Sequence, residues 1–167
     1  FLAHGYGAQW PKLIQFDPLL TPNAARTGVA RFDARYPGIA SYAARMTAFA
    51  KEHGYVETIL GRKRWLPEIA AGDRKIREAA ERQAINTPVQ GTAADVIKLT
   101  LVLVDGRLDP TQAQLILTVH DELDLRVRPA YVETAKQIIV TVAQEVGVMI
   151  GIDLPVEISV GATWADA

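Results

Sequence analysis

Two adjacent carboxylates, Asp121 and Glu122, follow a histidine in the string Val119-His120-Asp121-Glu122-Leu123. Setting such neighbours among apolar residues is costly unless a positive charge accompanies them. A divalent cation meets that need, and carboxylate oxygens suit magnesium or manganese. On a regular strand the two side chains point to opposite faces, so one of them, not both, would face a given ion directly. The plain alternative is a solvated turn in which Asp121 simply favours the bend. Zinc is a poorer match. His120 adjoins Asp121, but neither His4 nor His53 has ligand spacing to it. The chain has no cysteine, which excludes thiolate ligands and disulfides.

A second candidate is electrostatic. Over residues 62–82 seven basic side chains, among them Arg62, Lys63, Arg64 and Arg82, face four acidic ones, a local net charge of +3. The whole chain carries −1, so the remainder carries −4. A basic stretch in an otherwise acidic chain suits a polyanion track. It also suits a solvated surface helix.

The elements that must position these groups can be read from pattern. The 167 residues, 49% hydrophobic and 22% charged, are enough for one domain or two small lobes with a packed core. No apolar run approaches the roughly 18 residues of a membrane span. The first residue is Phe1, so the chain is expected to be processed or part of something longer. Thr21-Pro22 opens a helix that runs to about Arg35. A second helix spans about Ile39 to Glu52 and stops at His53-Gly54. Tyr55 to Leu60 reads as a strand or hairpin arm, with Gly61 at the turn. Residues 73–85 read as a charged helix. Asn86-Thr87-Pro88 is expected to break it, and another helix follows from Val89 to Val104. Gln114–Val119 and Glu122–Val127 form a hairpin around a His120-Asp121 tip. A helix from Pro129 to about Val146 and a last strand from Pro155 to Val160 complete the chain. The order helix, hairpin, helix, strand predicts an α+β lobe, an antiparallel sheet with helices on one face, after a mainly helical first part. A boundary is expected near residue 72.

Two further strings accompany the hairpin. Gly54-Tyr55-Val56-Glu57-Thr58 leads to Gly61-Arg62-Lys63-Arg64, and Arg77-Glu78-Ala79-Ala80-Glu81-Arg82 leads to Asn86-Thr87-Pro88-Val89-Gln90-Gly91-Thr92-Ala93-Ala94-Asp95. In this order and spacing they resemble family A DNA polymerases. The resemblance runs from about residue 24 to the end, where Pro155-Val156-Glu157 and Gly161-Ala162-Thr163-Trp164 look like that family's closing strand.

The resemblance implies a right-hand architecture, with residues 1–72 as the later part of the fingers and 73–167 as the second half of the palm. It implies templated addition of deoxynucleotides to a primer 3′-hydroxyl with two divalent ions, usually Mg2+. Asp121 matches the palm's metal-binding catalytic carboxylate and Glu122 its supporting neighbour. His120 matches a residue at the primer backbone. Arg82 and Gln90 match residues at the minor groove of the primer–template, and Asn86 belongs to the same surface. Arg62 and Arg64 match contacts to template phosphates, which position a duplex without specifying bases. Tyr6, in Gly5-Tyr6-Gly7, matches the tyrosine that sits against the templating base.

The implied partners are primer–template DNA, deoxynucleoside triphosphates and the N-terminal part of the polymerase, with no membrane. The implied setting is cytoplasmic and nucleoid-associated, or phage-encoded. The family's first palm carboxylate and its triphosphate-binding Lys and Arg lie upstream of residue 1, and Asp17 is the one acidic residue among the first 23. The chain alone is therefore expected to be inactive. The alternative is a non-catalytic DNA-binding remnant or a docking subunit of a split polymerase.

Overall fold

In the computed structural model, which describes residues 10–17 and 19–166, the chain divides between Thr92 and Ala93 into two compact units. The first unit begins with helices α1 (Trp10–Phe16), α2 (Pro22–Arg35) and α3 (Pro37–His53). The start of α2 is the one its sequence predicts. The Thr21 hydroxyl accepts from the Ala24 N–H at 3.2 Å, and Pro22 occupies the first turn, where a missing donor costs nothing. Gly54 ends α3 in the left-handed region, φ 74°, where a side chain would be strained.

The strand expected over Tyr55–Leu60 is shorter. β1 (Tyr55–Glu57) pairs antiparallel with β2 (Lys63–Trp65), with Val56 opposite Arg64. Thr58 ends β1 early because it begins a closed turn. Its N–H donates to the Arg62 carbonyl at 3.0 Å, its hydroxyl accepts from the Arg62 N–H at 3.1 Å, and Gly61 takes φ 83°. Val56 and Leu66, both essentially inaccessible, pack with Ala50, Ile69, Ala80 and Ala84 to form this unit's core.

The break expected at Asn86-Thr87-Pro88 is absent. One helix, α4 (Arg74–Asp105), runs for 32 residues with Pro88 inside it. An interior proline removes a backbone donor and crowds the carbonyl four residues back, at about 3 kcal/mol or more. Packing outweighs that cost. Before the proline, Ala80 and Ala84 are buried in the first core; after it, Val96, Leu99, Leu103 and Val104 belong to the second. Local polar contacts also hold the backbone here. The Tyr42 hydroxyl donates to the Ile85 carbonyl at 2.9 Å, and the Thr92 hydroxyl donates to the Pro88 carbonyl at 2.5 Å.

In the second unit, β3 (Ala113–Val119) and β4 (Glu122–Val127) form the expected hairpin, with an irregularity at Ile116. His120, at the tip, has φ 55°, the only positive value for a non-glycine among the described residues. Leu123, Leu125 and Val127 turn one face of β4 onto Val104, Leu108, Val142 and Val146. The following helix, α5 (Val132–Ile150), starts three residues later than Pro129, which instead opens a 3-10 turn over Pro129–Tyr131. Gly151, φ 70°, closes α5.

The strand expected over residues 155–160 does not form. Its alternation supplies propensity, but a strand also needs a neighbouring edge, and among the described residues β3 and β4 pair only with each other. The result is the mixed, mainly helical architecture with small antiparallel sheets that the element order implied.

Candidate nucleic-acid interface and carboxylate hairpin

Arg82, Asn86 and Gln90 stand four residues apart along α4, which places them in one row on a helical surface. In the first unit this row lines a groove of about 570 Å3, whose other wall is the β1–β2 hairpin with Arg62, Lys63 and Arg64. Four cations line the groove and no carboxylate does. Such a cleft concentrates positive potential and attracts polyanions.

Two of the three other basic side chains of the stretch are occupied elsewhere. Arg74 is tied to Glu78 at 2.7 Å, and Arg77 donates to the Ala71 carbonyl at 2.9 Å. Glu81, the carboxylate nearest in sequence to Arg82, is held by Lys51 at 2.7 Å. The groove is therefore more basic than the composition of residues 62–82 suggests.

Its side chains are individually placed. The Arg62 guanidinium donates to the Gly91 carbonyl at 3.0 Å, and Arg64 donates to the Thr87 hydroxyl at 3.4 Å. The Lys63 ammonium lies 4.3 Å from the centre of the Tyr55 ring. The side-chain oxygen of Asn86 is buried without a hydrogen-bond partner. Tyr42, which holds the Ile85 carbonyl beside this row, is half-buried. Burial raises its pKa, with Arg45 acting in the opposite sense.

The resemblance named Arg62, Arg64, Arg82, Asn86 and Gln90, and the structure brings all five to one groove. It missed the buried threonines Thr58, Thr87 and Thr92, and it missed Gly91. A methyl group on Gly91 would lie 2.7 Å from the Thr58 side chain and 3.3 Å from Arg62 Nη2. Thr92, four residues after Pro88 and so within reach of its carbonyl along the helix, is the one that local spacing could have exposed. Tyr6 lies outside the described residues.

The second unit carries the carboxylate hairpin. His120 and Asp121 form the tip, Glu122 is the first residue of β4, and all three are exposed. Because Leu123 faces the core, Glu122 points away from it. The oxygen donors match magnesium chemistry, and an exposed tip leaves room for a substrate oxygen or water in the coordination shell. Among the described residues no group of three or more His, Asp or Glu converges to enclose a cation. Asp124 is a surprise. Its alternating position predicts a solvent-facing side chain, but Oδ2 is buried and lacks a hydrogen-bond partner.

Comparison with known proteins agrees with this geometry. A profile described as DNA polymerase family A matches residues 5–166. DNA polymerase I of Pseudomonas aeruginosa is 43% identical over 145 residues, which are 86% of this chain and 16% of that protein. The thermostable DNA polymerase I of Thermus filiformis is 41% identical over 143 residues, 86% of this chain and 17% of that protein. The chain thus spans about a sixth of the length of these relatives. A solved structure, the POL domain of Pol1 from M. smegmatis in complex with DNA primer-template and dNTP, superposes with a TM-score of 0.83 at 32% identity. The match covers 95% of this chain and 28% of that one. A basic groove, a tip of adjacent carboxylates and a profile match over nearly every residue lead to one conclusion: the chain belongs to DNA polymerase family A.

Proposed function

We propose that this chain supplies the duplex-binding groove and one metal-binding carboxylate of a DNA-directed DNA polymerase. The reaction joins a primer 3′-hydroxyl to the α-phosphate of a deoxynucleoside triphosphate and releases pyrophosphate. The observation that carries the reading is the groove: four cations with no carboxylate, lined by Arg82, Asn86 and Gln90 in one row. Arg62 and Arg64 bind template phosphates, which fix the register of the duplex. Asn86 and Gln90 meet base edges in the minor groove. Every correct pair presents acceptors there, so a side-chain amide tests geometry without reading sequence.

Asp121 is the residue that holds Mg2+, with Glu122 supporting it and His120 against the primer backbone. When bound, the two ions lower the barrier by activating the attacking oxygen and neutralising charge on the triphosphate. Residues 1–72 belong to the fingers and 73–167 to the palm, with Tyr6 against the templating base. Alone, the chain does not extend primers, because a second palm carboxylate must join Asp121.

The test is primer extension by the intact protein carrying Asp121→Asn. Transfer should fall roughly 10³-fold or more while duplex binding is kept. Unchanged transfer would remove Asp121 from the metal site. Duplex binding with no transfer by the wild type, even beside the remaining polymerase segments, would identify a DNA-binding remnant instead.

A further inference from the structure

The Thr92 hydroxyl sits where the basic hairpin meets the helix, and it makes two hydrogen bonds at once. It accepts from the Ile59 N–H at 3.0 Å and donates to the Pro88 carbonyl at 2.5 Å. Thr92 is 7% exposed, so neither bond is readily replaced by water. A hydroxyl is suited to this double role because it carries one donor and two acceptor sites.

The geometry on both sides makes this contact consequential. Ile59 belongs to the closed turn from Thr58 to Arg62, so whatever fixes its backbone also fixes the origin of Arg62. On the helix side, the bonded carbonyl is that of Pro88, between Asn86 and Gln90. Gly91 lets the two surfaces approach, since any side chain there would strike Thr58. Arg62 then completes the contact by donating to the Gly91 carbonyl.

From this geometry we propose that Thr92 is a positioning residue for DNA binding. It clasps the arginine-bearing turn to the helix at Pro88 and thereby sets Arg62 and Arg64 at a fixed distance from Asn86 and Gln90. Thr92 does not touch the nucleic acid; it acts through the turn. The proposal rests on the duplex-binding reading above. It adds a specific cause for the shape of the groove, namely one buried hydroxyl acting as donor and acceptor.

The test measures binding of a fluorescent primer–template duplex by the intact protein across a salt series. Thr92→Val keeps the shape and removes the hydroxyl; Thr92→Ser keeps the hydroxyl. Thr92→Val should weaken binding about three- to ten-fold, and Thr92→Ser should stay within about two-fold of wild type. The salt slope of Thr92→Val should fall by about 1, because one phosphate contact loses its register. Arg62→Ala should weaken wild type but add little to Thr92→Val, a coupling that general destabilisation does not produce.

Wild-type affinity and slope in Thr92→Val, alongside weakened Arg62→Ala, would overturn the clasp and leave the interface standing. A Thr92→Ser protein as weak as Thr92→Val would overturn it too. Unchanged binding in Arg62→Ala and Arg64→Ala would instead overturn the interface reading beneath it. Amide exchange at Ile59 in the wild type needs no variant. The clasp requires slow exchange there, and exchange at the free-turn rate overturns it.

Discussion

Arg62 donates to the carbonyl of Gly91 at 3.0 Å, and a methyl group on Gly91 would come within 3.3 Å of that same guanidinium. The helix carbonyl and the missing side chain together make the arginine's seat. Gly91→Ala also brings Cβ to 2.7 Å from Thr58, which is half of a closed turn and cannot step aside freely. The expected result is a folded protein destabilised by about 1–3 kcal/mol with weakened duplex binding. Thermal unfolding and DNA titration measure the two effects.

Arg82 and Gln90 share one face of α4 but should fail differently. Arg82→Ala removes a cation from the groove and should lower the salt slope of duplex binding by about 1, whatever the DNA sequence. Gln90→Ala removes an uncharged hydrogen-bonding group and should leave the slope unchanged. Its effect should appear as poorer discrimination against a mismatched primer end, read from extension of matched and mismatched primers. Equal slopes for both variants would contradict the division of labour.

Arg107 and Glu145 form a two-pronged pair, with contacts of 3.0 and 2.6 Å, that joins the segment after α4 to α5. The hydrogen bond from Arg107 holds the Glu145 carboxyl below its ordinary value of 4.5. A lowered folded-state pKa gives stability that is present above the unfolded value and is lost as pH falls through the folded one. Glu145→Gln should therefore unfold at a lower temperature than wild type at pH 7. As pH falls below 4.5 the gap between the two melting curves should narrow, and it should close below the lowered folded-state value. A constant gap across that range would show that the charge is not the cause.

Gly147 lies inside α5, where an added Cβ would stand 2.6 Å from the Ile152 carbonyl. The chain folds back there, with the Ile152 N–H donating to the Gly147 carbonyl at 3.0 Å. In the middle of an open helix, glycine to alanine stabilises by up to about 1 kcal/mol. Here the sign should reverse. Gly147→Ala should lower stability by about 1–3 kcal/mol in denaturant unfolding, because the obstacle is backbone rather than a movable side chain.

Local chemistry made several of these features legible. Thr21-Pro22 and Gly54 mark helix ends because capping and left-handed backbone depend on the residues at those positions alone. The His120-Asp121 tip was legible because two apolar runs flank two polar residues. Pro88 misled because its cost is local, whereas the packing that overrides it is tertiary. Residues 155–160 misled for the converse reason: their alternation is local, but pairing needs an edge. At the groove, Arg82, Asn86 and Gln90 were legible only through the resemblance, because the break expected at Pro88 hid the single helix that sets them in one row. Thr92 was silent because its role depends on Ile59, 33 positions earlier and on another element. Asp124 shows the limit of alternation, which assigns a face but not how deeply that face is covered.

The left-handed backbone of His120 divides two kinds of selection pressure. Glycine adopts that torsion freely, whereas an ordinary side chain there costs about 1 kcal/mol. A laboratory campaign that rewards only heat resistance would replace the imidazole with hydrogen. One that rewards primer extension would, on the proposed reading, restore it. The hairpin tip is thus a single position where endurance and use can be scored against each other, with no other part of the protein altered.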